Sequence, residues 1–207
     1  MKQATIFLII SILFVTGCQK RNENLFVVID NPEMSFVTEG SILFPEILDT
    51  FSNSWYSSQL LALKESPLFN DITALETYRF LWIRTFHHPI AIRFERQENS
   101  YILYWKECDG AGGYEPGKLI ANKKMEVDKK TWLEFKDKLN EIDFWNLPMD
   151  DSDQLGTDGA QWILEGKNTE LYHFTDRWSP KKSSAYYQCC DFLIKLTDLN
   201  IDNEKKY

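Results

Sequence analysis

Tyr78-Arg79-Phe80-Leu81-Trp82-Ile83-Arg84-Thr85-Phe86, His87-His88-Pro89 and Ile90-Ala91-Ile92-Arg93-Phe94-Glu95 form the stretch that decides the fold. The first run is dense in aromatic and branched side chains, which pack well on a pleated, half-buried surface. The two histidines before Pro89 read as a turn. In the third run Ile90, Ile92 and Phe94 alternate with Ala91, Arg93 and Glu95, the period of two expected of a half-buried strand. Gln97-Glu98-Asn99 turns the chain back into another strand over residues 101–108. A glycine-rich turn over residues 109–117 leads into a fourth strand ending near Val127. Four strands joined by short turns predict an antiparallel meander.

Helical spacing brackets this block. Upstream, Pro45 suits the first position of a helix, where a missing N–H costs nothing. Ile47, Leu48, Phe51, Trp55, Leu60, Leu61 and Leu63 then follow helical spacing as far as Pro67, with Ser52-Asn53-Ser54 weakening the middle. Downstream, Asp128 caps a helix to about residue 142, whose Trp132, Phe135, Leu139 and Ile142 share one face. Residues 161–165 and 170–176 read as a hairpin around Gly166-Lys167-Asn168-Thr169. A last helix covers about residues 183–199, with Tyr186, Cys190, Leu193 and Leu196 inward. The expected fold is α+β: an antiparallel sheet, meander plus hairpin, packed by two or three helices in a single domain over residues 25–207.

Composition agrees. The chain has 207 residues, 43% of them hydrophobic and 26% charged, ordinary for one folded body. Its 31 acidic residues against 23 basic give a net charge of −8. A dedicated nucleic-acid binder needs a basic footprint, so no nucleic-acid partner is expected.

The amino terminus has a separate character. Lys2 precedes an almost wholly apolar stretch over residues 4–15, followed by Thr16-Gly17-Cys18 and then polar residues 19–24. This is the positive and apolar pattern of a secretory signal, too short to span a bilayer stably. Val15-Thr16-Gly17-Cys18 resembles the lipobox of bacterial lipoproteins. The resemblance implies a signal peptide over residues 1–17, cleavage before Cys18, and diacylglycerol on the Cys18 thiol with further acylation such as palmitate. Residues 18–24 would then be the lipidated cysteine and a polar tether. Two or more acyl chains anchor stably where one does not. In enteric bacteria Asp after the cysteine favours the inner membrane. Gln19 stands there, which favours the outer membrane of the cell envelope, with the body outside the cytoplasm.

Several phrases resemble an uncharacterised family of secreted or lipid-anchored bacterial proteins. They are Tyr78-Arg79-Phe80-Leu81-Trp82, Thr85-Phe86-His87-His88-Pro89, Asp109-Gly110-Ala111-Gly112-Gly113-Tyr114, Phe144-Trp145, Asp158-Gly159-Ala160-Gln161-Trp162-Ile163-Leu164-Glu165, Tyr172-His173 and Arg177-Trp178-Ser179-Pro180. The resemblance covers about residues 50–199 and implies one folded unit, with no catalytic assignment.

An oxidising compartment permits a disulfide. With Cys18 lipidated, Cys108 could pair with Cys189 or Cys190, against the plainer reading of three buried thiols. No recurring ligand spacing points to zinc, and no cofactor or metal is expected.

Gly112-Gly113-Tyr114-Glu115-Pro116-Gly117-Lys118 follows a phosphate-loop pattern for seven positions, then fails at Leu119, where Ser or Thr should hold magnesium. Asp151-Ser152-Asp153-Gln154-Leu155-Gly156 begins like a calcium loop, but its fifth position is Leu155 and its twelfth Trp162. His87, His88 and His173 are the only histidines. As a general base, His173 or His88 would need Asp158 or Asp109 to orient it. Glu165 and Arg177 could form an anion or peptide site, though cross-strand pairing is the commoner fate. Seven Trp, nine Tyr and fourteen Phe exceed what a core of this size needs, and Trp162 and Trp178 stand near turn-rich segments. Exposed aromatics suit glycan or protein contact.

Two functions follow as expectations. The first is a membrane-anchored, non-enzymatic binding module for an envelope protein, a peptide or a glycan. The second is an extracytoplasmic hydrolase using a His/Asp pair.

Overall fold

The computed structural model describes residues 27–28, 44, 49–69, 71, 73–150 and 156–207. Cys18, the tether, the helix start at Pro45 and most of the calcium-like loop lie outside them.

The fold is α+β, an open antiparallel sheet with three helices in a single domain. The meander consists of β2 (Glu76–Arg84), β3 (Ile90–Arg96), β4 (Tyr101–Cys108) and β5 (Leu119–Val127). A two-residue strand, β1 (Val27–Val28), pairs with β5 at one edge. The hairpin is β6 (Ala160–Lys167) and β7 (Tyr172–Trp178). Strand order is β1-β5-β4-β3-β2-β6-β7, so β6 docks on the free side of β2. That pairing makes β2 central, and eight of its nine residues are buried.

A central strand with helices on both faces buries both sets of its alternating side chains. Tyr78, Phe80 and Trp82 face α2 (Lys129–Glu141) and α3 (Ala185–Leu196), together with Phe94, Trp105, Trp162 and Leu164. Leu81 and Ile83 face α1 (Thr50–Ala62), where Tyr56, Leu60 and Leu63 meet Ile163 and Phe174. Each large apolar side chain fully withdrawn from water stabilises by ~1.5–3 kcal/mol.

The helices start where the sequence supplies caps. Asp49 Oδ1 accepts from the N–H groups of Phe51 and Ser52, each at 3.0 Å. Asp128 Oδ1 accepts from Thr131 N at 2.7 Å, and Ser184 Oγ accepts from Tyr187 N at 3.2 Å. Such a cap satisfies an otherwise orphaned donor and contributes about 1 kcal/mol. The Ser52-Asn53-Ser54 segment does not interrupt α1.

The segment after α3 closes the aromatic face. Trp82 and Trp162 donate their indole N–H groups to the main-chain oxygen of Tyr207, at 3.3 and 2.7 Å. Trp105 donates to Asp198 Oδ1 at 2.9 Å. Buried indoles need an acceptor, and here one short segment serves all three. Buried Lys206 ties the segment to α3 through Asp191 at 2.7 Å.

The expected disulfide is not formed. Cys108 packs on the α1 face and Cys189 and Cys190 on the α3 face, so the sheet stands between them. All three are free and buried, and burial pushes the Cys108 and Cys189 thiols up to about 12. Among the described residues no helix is long and apolar enough to cross a membrane.

Candidate functional site

The helix α1 is seated against its own sequence pattern. Helical spacing predicts Phe51 and Trp55 on the inward stripe. Leu60 and Leu63 are buried as expected, but Asn53, Tyr56, Ser57 and Gln59 join them inward, while Phe51 is 75% exposed and Trp55 is half-buried. The polar residues tolerate burial because they are bonded, save for Gln59 Oε1, which has no hydrogen-bond partner. Asn53 Nδ2 donates to Phe44 O at 3.2 Å and Ser57 Oγ to Asn53 Oδ1 at 3.1 Å. Gln59 Nε2 and Trp55 Nε1 both donate to Gly112 O, at 3.2 and 3.1 Å. A buried polar group so paired costs little.

The glycine-rich loop is the other wall. A Cβ on Gly112 would stand 2.7 Å from an Ile83 methyl and 2.9 Å from Arg84 O, so only glycine lets the loop lie against the end of β2. The N–H groups over residues 109–114 are spent on protein carbonyls. Gly110 bonds Pro116, Ala111 bonds Glu115, Gly112 bonds His87 and Gly113 bonds Thr85, at 2.9–3.2 Å. A phosphate loop needs such groups free, so this one is structural. Asp109 Oδ1 closes it by accepting from Lys118 N at 2.7 Å.

Between α1, this loop and the end of the β6–β7 hairpin lies a cleft of about 700 Å³. Phe51, Trp55 and Tyr56 line it from the helix, Tyr114 from the loop, and Trp178 and Gln161 from the hairpin. Tyr114 is 67% exposed and leans on exposed Phe86, with ring centroids 6.3 Å apart. Trp178 is fixed by Gly156 and Gly159. A Cβ on either would come within 2.6 Å of its ring. Tyr56 donates its hydroxyl to Asp176 Oδ2 at 2.5 Å. Burial pushes the Asp176 carboxyl up to about 6, although Tyr56 and Arg177 oppose it.

The sequence candidates spread over the fold. Trp178 lines the cleft, and Asp158, next in sequence to the lining residue Thr157, is exposed. Trp162 is wholly buried in the aromatic core. Glu165 and Arg177 face opposite sides of the sheet. Glu165 is bound by Arg79 Nε at 2.6 Å and Tyr172 OH at 2.8 Å. Arg177 donates to the carbonyls of Pro148 and Asp176, both at 2.7 Å, and its guanidinium lies over Tyr186. His87 Nδ1 meets Tyr207 OH at 2.7 Å, His88 Nδ1 meets Glu107 Oε1 at 2.8 Å, and His173 Nε2 meets Leu147 O at 2.9 Å. Burial holds the His87 and His173 rings below the usual imidazole value. Neither Asp109 nor Asp158 is a partner in any of these bonds. Among the described residues no three His, Cys, Asp or Glu side chains gather as metal ligands would.

The sequence reading did not single out Phe51, Trp55, Tyr114 or Gln161 as binding residues. The available signal was the polar run Ser52-Asn53-Ser54 inside an apolar helix, which marks a helix with two competing faces. Comparison with known protein families, with curated proteins and with solved structures finds no match for this chain.

Proposed function

We propose that this protein is a lipid-anchored, extracytoplasmic binding module, held to the envelope by Cys18 and engaging its ligand through the cleft beside α1. The observation that carries the binding reading is the seating of α1. The helix buries bonded asparagine and serine while leaving Phe51 at the surface and Trp55 at the cleft wall. A local choice made against the hydrophobic pattern marks a functional site more often than a fault. Trp55 and Trp178 are held by their neighbours, so these two rings lose little conformational entropy on binding. The anchor reading is supported by the order of charge, apolar run, small residues and cysteine over residues 2–18.

Each half has its own test. Cys18→Ala should abolish incorporation of labelled fatty acid and release the protein from the membrane fraction. Unchanged labelling and fractionation would refute the anchor. For binding, a photo-crosslinking amino acid at Tyr114 should capture an envelope component in cells. The same group at Leu133, exposed on α2 across the sheet, should not. Equal capture at both positions, or none at Tyr114, would refute the cleft as the binding site.

A further inference from the structure

We infer that the occupant of the cleft is an uncharged saccharide, a short stretch of neutral glycan. This rests on the binding reading of the same cleft. Three features of the lining point to that chemistry.

First, among its described lining residues there is no charged side chain. A site for an anion, a cation or a charged peptide would place an opposite charge there. Asp176 Oδ2, behind Tyr56, accepts from the Tyr56 hydroxyl.

Second, the lining alternates rings with small polar groups. Phe51, Trp55, Tyr114 and Trp178 offer aromatic surface, while Ser54, Thr157 and Gln161 offer hydroxyls and an amide. A pyranose has that dual character. Its C–H faces are attracted to the negative face of an aromatic ring, and its hydroxyls both donate and accept. A purely apolar ligand would leave the hydroxyls and the amide unpaired on desolvation, at a cost. The volume of about 700 Å³ lies in the range of small-molecule clefts.

Third, Gln161 Oε1 has no hydrogen-bond partner in the protein, although it is withdrawn from solvent. An amide carries a donor and an acceptor on one rotatable group, so a half-turn exchanges the two. The Gln161 acceptor is therefore unspent in the lining of a cleft whose tryptophans are already held. Trp55 is tied through its indole N–H to Gly112, and Trp178 is packed by Gly156 and Gly159. Two held tryptophans, two exposed rings and one adjustable amide describe a site that stacks a sugar and then reads its hydroxyls.

The test is titration of the full-length chain, in a zwitterionic detergent free of sugar headgroups, with cellotriose, maltotriose and chitotriose. Binding is read by calorimetry and by the indole NMR signals. The inference predicts saturable binding of at least one trisaccharide at up to millimolar concentration, shifting the indole signals of Trp55 and Trp178 and sparing that of Trp105. Phe51→Ser and Tyr114→Ser alter exposed side chains, so the fold is kept. Each should weaken binding by about tenfold, the loss of one stacked ring. No binding of any of the three, or binding untouched by both variants, would overturn the inference. If the sugars fail while Tyr114 still crosslinks to an envelope protein, the saccharide falls and the cleft stands. If Tyr114 crosslinks nothing as well, both fall.

Discussion

The two faces of β2 bury their side chains by different physics. Toward α2 and α3, Tyr78, Phe80 and Trp82 enter a continuous aromatic layer, and the segment ending at Tyr207 seals it by accepting the indole N–H groups. Toward α1, Arg79 is fully buried among ions. It binds Glu165, and it lies 3.4 Å from Glu65. Glu65 also takes Arg93 Nε at 3.0 Å and Lys106 Nζ at 2.7 Å. The difference teaches where a ligand can go. The aromatic face is closed by its own chain. The α1 face is closed by apolar contacts and ions in its lower part and is left open above, where α1, the glycine-rich loop and the hairpin part around the cleft.

The two buried carboxylates sharpen the comparison. Burial raises both, but Arg93, Lys106 and Arg79 together outweigh it at Glu65 and hold its carboxyl at about 2. At Glu165 burial wins over Arg79 and Tyr172, and its carboxyl sits above the usual value. Glu65 therefore contributes stability that is present above its ordinary value of 4.5 and is lost as pH falls toward about 2.

The largest effect should come from Arg79→Ala. It leaves buried Glu165 without its cation and takes one of three cations from Glu65, and should cost roughly 3–5 kcal/mol in denaturant unfolding at neutral pH. A loss under about 1 kcal/mol would mean that the ionic face is not load-sharing with the core. Trp162→Phe comes next. It removes the shorter of the two indole bonds to Tyr207 and leaves a gap, for an expected loss of about 1–3 kcal/mol. If the loss is negligible, the seal is not made by those bonds.

A smaller effect of opposite sign belongs to Asp176. Its folded-state value is raised to about 6, so its favourable contribution is full below the ordinary 3.8 and is lost as pH rises through about 6. Asp176→Asn should stabilise on the order of 1 kcal/mol well above that pH, and not at all below 3.8. Thermal melts across that range would show the crossover. The smallest stability effect should be that of Phe51→Ser, within about 0.5 kcal/mol of zero, because the ring is already in solvent. A larger loss would place Phe51 in the packing.

The sheet was readable because alternation and turn residues are local signals. Ile90, Ile92 and Phe94 announce a strand with no knowledge of its neighbours. The docking of β6 on β2 was not readable, because one hairpin can add to either edge of a meander and only the tertiary core decides. The caps at Asp128 and Ser184 mark their helices within two residues. At α1 the local pattern misled, since a periodicity argument counts Phe51 and Trp55 as core and cannot see that Gly112 O, 53 and 57 positions away, pairs Gln59 and Trp55. Trp162 and Trp178 look alike as residues near turns. Register separates them, with Trp162 opposite Trp82 and Trp178 at the hairpin end opposite Gln161.

The central claim is that the α1 face is the working face and the α2/α3 face is closed. Hydroxyl-radical footprinting of the protein in intact envelopes and after purification tests it most directly. The account predicts that Phe51, Tyr114 and Trp178 are oxidised in the purified protein and protected in the envelope. Trp82, Trp105 and Trp162 should be protected in both, and Leu133 oxidised in both. Oxidation of Phe51, Tyr114 and Trp178 to the same extent in both preparations would contradict it.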